Sequence, residues 1–81
     1  MTPKEAANSI LKEFPKYEIL GCYDYDSEYL FSITPKGQES YNDDYFLIDK
    51  NNGNIKEYAI LNDINRFNKI ILDKTKILSF K

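Results

Sequence analysis

The residues best suited to chemistry in this sequence are tyrosines interleaved with acidic side chains between positions 23 and 45. Tyrosine gives a large contact area with few rotatable bonds, and carboxylates attract a basic partner and speed its capture. The pattern favours a protein-binding surface, although the same tyrosines can also be core or cross-strand residues of a sheet. The residues predicted to contact a partner are Asp24, Tyr25, Asp26, Glu28, Tyr41, Asp43 and Asp44.

The charge is distributed unevenly along the chain. Residues 24–49 carry seven acidic side chains against Lys36 alone, a balance of −6, whereas residues 50–81 carry seven basic against three acidic, a balance of +4. The acidic stretch predicts a basic protein partner. The basic C-terminal segment favours a nucleic-acid-associated role as an alternative, but the aromatic residues that such a site needs lie in the acidic stretch.

Catalytic residues are not predicted. The chain has no histidine and a single cysteine, Cys22, so no imidazole is present to activate the thiol, and a buried strand residue is the preferred interpretation. Three scattered glycines do not form a phosphate-binding loop. We therefore expect a protein without enzymatic activity and without a cofactor.

Two acidic clusters could supply oxygen ligands to a metal ion such as calcium, around Asp26 and around Asp43. Solvated turns are the preferred interpretation of both. The stretch that begins at Asp49 is similar to the start of an EF-hand loop, but its glycine stands fifth instead of sixth and Ile60 occupies the twelfth position, where glutamate is required. No metal site is predicted.

The clearest structural signal is a β-hairpin between Asp44 and Tyr58. Tyr45-Phe-Leu-Ile48 is an aromatic and branched run of strand length, and the next six residues are nearly all turn formers. The predicted turn places Ile48 opposite Ile55. Its structural residues are Asp49, Asn52 and Gly53, with Gly53 at a positive φ.

The remaining elements follow from capping and periodicity. Thr2 and Glu5 predict a capping box for a helix that ends near Phe14, and Asn62 is the predicted cap of a second helix. Gly21 predicts a bulge in the first strand. Residues 74–81 fit a helical extension, a short strand or a docked segment. The predicted helices and strands are residues 3–14, 17–25, 29–34, 45–48, 55–58 and 63–72.

These elements predict one α+β domain, residues 1–81, with the order α-β-β-β-β-α. Short connections favour an antiparallel sheet of about four strands. The N-terminal helix packs on one face of the sheet, a shorter C-terminal helix follows the last strand, and the other face is expected to be solvated. A hydrophobic fraction of 42% excludes a disordered chain.

The hairpin residues YFLIDKNNGNIKEY, from Tyr45 to Tyr58, resemble the closing hairpin of small bacterial immunity-type proteins and of uncharacterised phage and prophage proteins. This resemblance implies a non-enzymatic protein of a mobile element, with a toxin or a phage or host protein as partner. The hairpin is also similar to the one that ends PepSY domains, which implies an inhibitor module as an alternative.

The N-terminus has no apolar signal-peptide core, which counts against the mostly secreted PepSY relatives. No segment approaches the roughly 18 apolar residues of a membrane helix. A lone cysteine fits a reducing compartment. We expect a cytoplasmic protein that does not associate with membranes.

Overall fold

A computed structural model describes residues 1–37 and 44–81. In those ranges, five strands form one antiparallel sheet in the order β4-β3-β2-β1-β5, with a helix before the first strand and a helix after the fourth. The predicted α+β class is confirmed, with one strand more than expected. The elements are α1 (Pro3–Glu13), β1 (Tyr17–Tyr25), β2 (Glu28–Pro35), β3 (Asp44–Asp49), β4 (Ile55–Glu57), α2 (Ile64–Leu72) and β5 (Ile77–Leu78), with short 3-10 turns at Ile60–Asn62 and Lys74–Lys76.

Helix α1 begins with the predicted capping box. The Thr2 hydroxyl accepts the N–H of Glu5 at 3.2 Å, and the Glu5 carboxylate accepts the N–H of Thr2 at 3.0 Å. The buried side of the helix packs on the sheet through Ile10, which is fully buried with Phe31 and Ile48. Phe14, at the helix C-terminus, packs against the same core. Over this first core, the N-terminal helix thus packs on one face of the sheet, as the sequence predicts.

A bulge in β1 changes which side chains share a face. The register against β2 shifts between Ile19 and Gly21, as the glycine predicts. Because one residue is inserted, the alternation reverses, so that Ile19 and Cys22 pack on the α1 side. Tyr23 and Tyr25 pack on the opposite side. Strict alternation along residues 17–25 would place Ile19 and Tyr25 on one face, and the bulge separates them.

The second face of the sheet carries its own core beneath α2. Tyr25, Leu30 and Leu47 are buried there, and the helix covers them with Phe67, Ile70 and Ile71. The expected solvated face is therefore wrong. The physical reason is that α2 packs on this face, so that residues 29–34 of β2 are all buried, including the polar Ser32 and Thr34.

The C-terminal elements differ from the sequence expectation in two details. The N-cap position of α2 is Asp63 instead of Asn62, which lies in the preceding 3-10 turn. Residues 77–78 form the edge strand β5, in which Leu78 pairs with Cys22, and Phe80 packs on the first core. None of the helices in the part of the chain that the structure describes is long and apolar enough to cross a membrane.

The hairpin of β3 and β4 has the predicted register, with Ile48 opposite Ile55. The N–H of Gly53 donates to the carbonyl of Asp49 at 2.9 Å, and Gly53 has a φ of 73°. The Asp49 carboxylate accepts the N–H of Asn51 at 2.7 Å and that of Asn52 at 3.1 Å. These bonds from the side chain to the loop backbone hold the turn in one geometry.

Candidate protein-binding site

Three of the predicted contact residues lie at the turn between β1 and β2, and each forms an ion pair. Lys50 Nζ lies 2.6 Å from Asp24 Oδ1, Arg66 Nη2 lies 2.8 Å from Asp26 Oδ2, and Lys56 Nζ lies 3.2 Å from Glu28 Oε2. All three cations come from the basic half of the sequence. The acidic and the basic segments of the chain therefore meet in the fold, where three acids of the first pair with three bases of the second.

Lys50 ties this turn to the β3–β4 loop. Its ammonium donates to the carbonyl of Asp26 at 2.6 Å and lies 4.9 Å from the centre of the Tyr29 ring. Its backbone N–H donates to the carbonyl of Ser27 at 3.0 Å. Asp26 has a φ of 60°, a conformation that a short polar side chain tolerates better than a bulky one. This end of the sheet is thus closed by contacts between two loops.

Asp44 lies at the other end of the same strands. In the β2–β3 register, Asp49 pairs with Glu28 and Asp44 pairs with Ile33. Five residues of strand therefore separate Asp44 from the turn acids, a distance of roughly 17 Å at the usual rise per residue. Tyr41 and Asp43 lie outside the described residues. For the residues that the structure places, the expected single acidic surface is wrong.

Tyr25 requires a further correction, because it is 0% exposed and cannot serve as a surface contact. Its hydroxyl forms a hydrogen bond with the hydroxyl of Tyr58. The Arg66 guanidinium lies 4.0 Å from the centre of its ring. The bulge in β1 turns Tyr25 toward α2, which explains why strict alternation misplaces it.

Tyr25, Tyr58, Asp63 and Arg66 form a polar cluster between the sheet and α2. The Tyr58 hydroxyl donates to Asp63 Oδ2 at 3.3 Å, and Arg66 Nη1 lies 3.8 Å from the same oxygen. Burial raises the pKa of both Tyr25 and Tyr58 above the usual tyrosine value. Both phenols therefore stay protonated near neutral pH and act as hydrogen-bond partners that fasten α2, not as bases.

A cavity of about 350 Å³ opens where β3 and β4 meet the 3-10 turn Ile60–Asn62, and we call it the β4 pocket. Its walls are largely aromatic and aliphatic, with two carboxylates. Leu61 at this site is 90% exposed. The residues that line the β4 pocket are Asp44, Tyr45, Glu57, Tyr58, Ala59, Ile60, Leu61 and Asn62.

The two carboxylates of the β4 pocket come from neighbouring strands. Glu57 pairs directly with Phe46, two residues from Asp44, so the acids are diagonal neighbours with Cα atoms about 7 Å apart. Within residues 1–37 and 44–81, neither Asp44 nor Glu57 forms a salt bridge. Their mutual repulsion is not offset there by a cation.

The sequence pattern indicates Asp44 but not Glu57, Tyr58 or Leu61. Glu57 stands in the basic half of the chain, and Leu61 stands between the last predicted strand and the second helix. The available signal was the apolar run from Ala59 to Leu61, which lies directly after the last predicted strand and outside any amphipathic period.

No family model, no curated protein and no solved structure matches this chain. The function is therefore inferred from the geometry and the charges of the surface.

Proposed function

We propose that this chain is a small, non-enzymatic protein-binding module that holds a basic side chain of a protein partner in the β4 pocket. The observation that carries this proposal is the contrast among the strand acids. Asp24, Asp26 and Glu28 are paired within the fold, whereas Asp44 and Glu57 have no cation beside them among the described residues. A cation supplied by a partner relieves the repulsion between the two carboxylates.

The chemistry of the pocket walls favours lysine or arginine over a metal ion. Tyr45, Tyr58 and Leu61 offer apolar surface for the aliphatic stem of such a side chain, while the carboxylates meet its charged end. Calcium takes about six to eight oxygen ligands, many more than two carboxylates provide. A volume of about 350 Å³ is sufficient for one long side chain.

Two features support a binding role over a catalytic one. The sequence contains no histidine, and the raised pKa values of Tyr25 and Tyr58 remove these phenols as candidate bases near neutral pH. The nucleic-acid alternative loses support because Lys50, Lys56 and Arg66 already pair with acids of the same chain. Three of the seven basic residues of the C-terminal half are thereby partly neutralised.

The cellular setting is part of the same proposal. The resemblance of the Tyr45–Tyr58 hairpin supports an immunity-type or phage accessory role in the cytoplasm of a bacterium, with a toxin or a phage or host protein as partner. A partner of this kind is commonly encoded beside the gene. The products of the adjacent genes are therefore the first proteins to test for binding.

The test measures the dissociation constant of each adjacent gene product by calorimetry, for the wild-type chain and for two matched variants. Glu57→Gln removes a pocket carboxylate, and Glu18→Gln makes the same change at another exposed strand glutamate. We expect Glu57→Gln to weaken binding about tenfold and Glu18→Gln by less than about twofold, since loss of a close charge pair costs on the order of 1.5 kcal/mol or more. Equal affinities for both variants would contradict the proposal.

A further inference from the structure

Strand β4 is an edge of the sheet, and half of its backbone groups point away from β3. Tyr58 N–H donates to the carbonyl of Tyr45 at 2.9 Å, and Asp49 N–H donates to the carbonyl of Asn54 at 2.9 Å. Because hydrogen-bonded positions alternate along an antiparallel pair, residues 54, 56 and 58 face β3. The N–H and C=O groups of Ile55 and Glu57 therefore face outward, at the end of the sheet order.

Two cavities flank this edge. Glu57 lines the β4 pocket, whose Tyr45 and Tyr58 belong to the core beneath α2. Ile55, two residues earlier, lines a second cavity of about 270 Å³ on the α1 side, which is bounded by Phe14 and Phe46 and by the polar residues Glu13 and Asn54, and which we call the α1 cavity. Residues i and i+2 of a strand point to the same face, about 7 Å apart. A strand laid along β4 would therefore place alternate side chains beside Glu57, at the rim of the β4 pocket, and beside Ile55, at the α1 cavity.

We propose that β4 accepts an extended segment of the partner as a sixth, antiparallel strand, with the sequence pattern basic-x-apolar. This inference rests on the proposed function and adds the mode of binding. Main-chain hydrogen bonds to Ile55 and Glu57 hold the segment, and pockets for alternate side chains select it. The basic residue lies opposite Glu57 and meets the carboxylates of Glu57 and Asp44 at the rim of the β4 pocket, and the apolar residue lies opposite Ile55 and Phe46 beside the α1 cavity.

A second copy of this chain is a poor occupant of the edge. Antiparallel pairing of β4 with its own copy, centred on the strand, would set Lys56 directly against Lys56 of the copy. That pair lies in a non-hydrogen-bonded site, where Cα atoms approach to about 4.5 Å. Like charges in that position are destabilising, and lysine on an edge strand is a known guard against self-pairing. The middle residue of a foreign segment avoids this clash.

The charges on the two sides of the edge fit one direction of the added strand. Glu57 and Asp44 favour a basic residue at the first position, and Lys56, which is 64% exposed beside Glu28, favours a polar or acidic residue at the second. The half-buried Ile55 favours an apolar residue at the third. In the antiparallel direction these positions read basic-x-apolar from the N-terminus to the C-terminus of the segment.

The experiment selects random seven-residue peptides, displayed on phage, against the complete folded chain. The enriched peptide is then synthesised, and its binding is measured by fluorescence anisotropy. We expect enrichment of the basic-x-apolar pattern. N-methylation of the peptide at the basic or the apolar position should weaken binding at least about tenfold, because it removes an N–H that bonds to Glu57 or Ile55. N-methylation at the middle position, whose N–H faces solvent, is the matched control and should change binding by less than about threefold.

The outcomes separate this inference from the proposed function. In one outcome, the peptides bind the Asp44→Asn and Glu57→Gln variants more weakly than the wild type, but N-methylation weakens binding equally at the basic, middle and apolar positions. That result would overturn strand addition and leave the pocket proposal standing. Peptides that bind equally to wild type and both variants, or no enrichment of the pattern at all, would overturn both. In a further outcome, the free chain sediments as a dimer and the enriched peptide does not dissociate it. That result would overturn the inference in favour of self-pairing.

Discussion

The two ends of the sheet balance their carboxylates in different ways. At the end formed by the β1–β2 turn and the β3–β4 loop, which we call the closed end, Asp24 and Asp26 meet Lys50 and Arg66 of the same chain. At the opposite end, which we call the open end, Asp44 shares the β4 pocket with a second carboxylate and no cation in the described part of the chain. Acidic residues that look equivalent in sequence thus differ in the fold: those of the closed end form ion pairs with the same chain, and those of the open end form none within its described part.

The largest effect is expected at the closed end from Tyr25→Ala. This substitution removes a fully buried ring, together with its contacts to the Tyr58 hydroxyl and the Arg66 guanidinium, so it should cost about 3–5 kcal/mol of unfolding free energy. Tyr25→Phe keeps the ring and should cost about 1 kcal/mol. Urea denaturation of both variants measures the difference, and equal losses would show that the hydroxyl, not the ring, dominates.

A smaller effect is expected from Gly53, in the loop of the closed end. Its φ of 73° strains any residue with a β-branched side chain, so Gly53→Val should cost on the order of 1–2 kcal/mol. The nearest atom to an added Cβ is the flexible Met1 Cε at 3.3 Å, so the backbone conformation and not a clash sets the cost. Asn52→Ala is the control and should cost less in the same urea measurement. A smaller loss for Gly53→Val than for Asn52→Ala would contradict this assignment.

The pH dependence of stability should also have a contribution from the closed end. The pKa of Asp49 is lowered because its carboxylate accepts the backbone N–H groups of Asn52 and Asn51. A pKa that is lower in the folded state means that the charged form stabilises the fold above the unfolded pKa of about 4, and that this stabilisation is lost as the pH falls through the folded pKa.

The loss of melting temperature between pH 6 and pH 3 should therefore be smaller in Asp49→Asn than in the wild type. Calorimetric scans at the two pH values measure this difference, and Asp44→Asn, at the open end, serves as the comparison. If Asp49→Asn loses as much melting temperature between the two pH values as the wild type, the Asp49 carboxylate does not stabilise the fold.

The smallest effect on stability is expected at the open end. Replacing Asp44 by Asn and Glu57 by Gln together should change the unfolding free energy by less than about 0.5 kcal/mol, because both side chains lie at the surface and their repulsion is removed. The same double variant should bind a basic partner more weakly. A stability loss above about 1 kcal/mol in a urea titration would show that these acids support the fold, and the contrast between the two ends would disappear.

Local patterns in the sequence are sufficient to predict the helices and strands, but not which faces of the sheet a helix covers. The capping box at Thr2 and the turn at Gly53 depend on residues a few positions apart, and both could be predicted. The second core could not, because the burial of Leu30 and Leu47 depends on a helix that follows in the chain. Strand β2 gives no clear signal of it, since Leu30 shares that face with Ser32 and Thr34.

The site was harder to predict because its contacts join distant parts of the chain. Arg66 pairs with Asp26, 40 residues away, and no local pattern indicates which acid a given lysine or arginine neutralises. Counting charges by segment therefore grouped Asp26 with Asp44, although the fold pairs one and leaves the other. The bulge at Gly21 can be predicted from the glycine, but the direction of Tyr25 depends on where along the strand the extra residue is inserted.

Cys22 is shielded from thiol reagents in the folded protein. The thiol is 1% exposed in the first core, and burial raises its pKa to about 12. At pH 7 a thiol with such a pKa is ionised in only about one molecule in 10⁵. Alkylating reagents and oxidants that require a thiolate therefore react very slowly with Cys22 in the folded chain. Because β5 lies beside Cys22 in the sheet, the rate of thiol labelling reports how often the C-terminal strand and the core beneath it open.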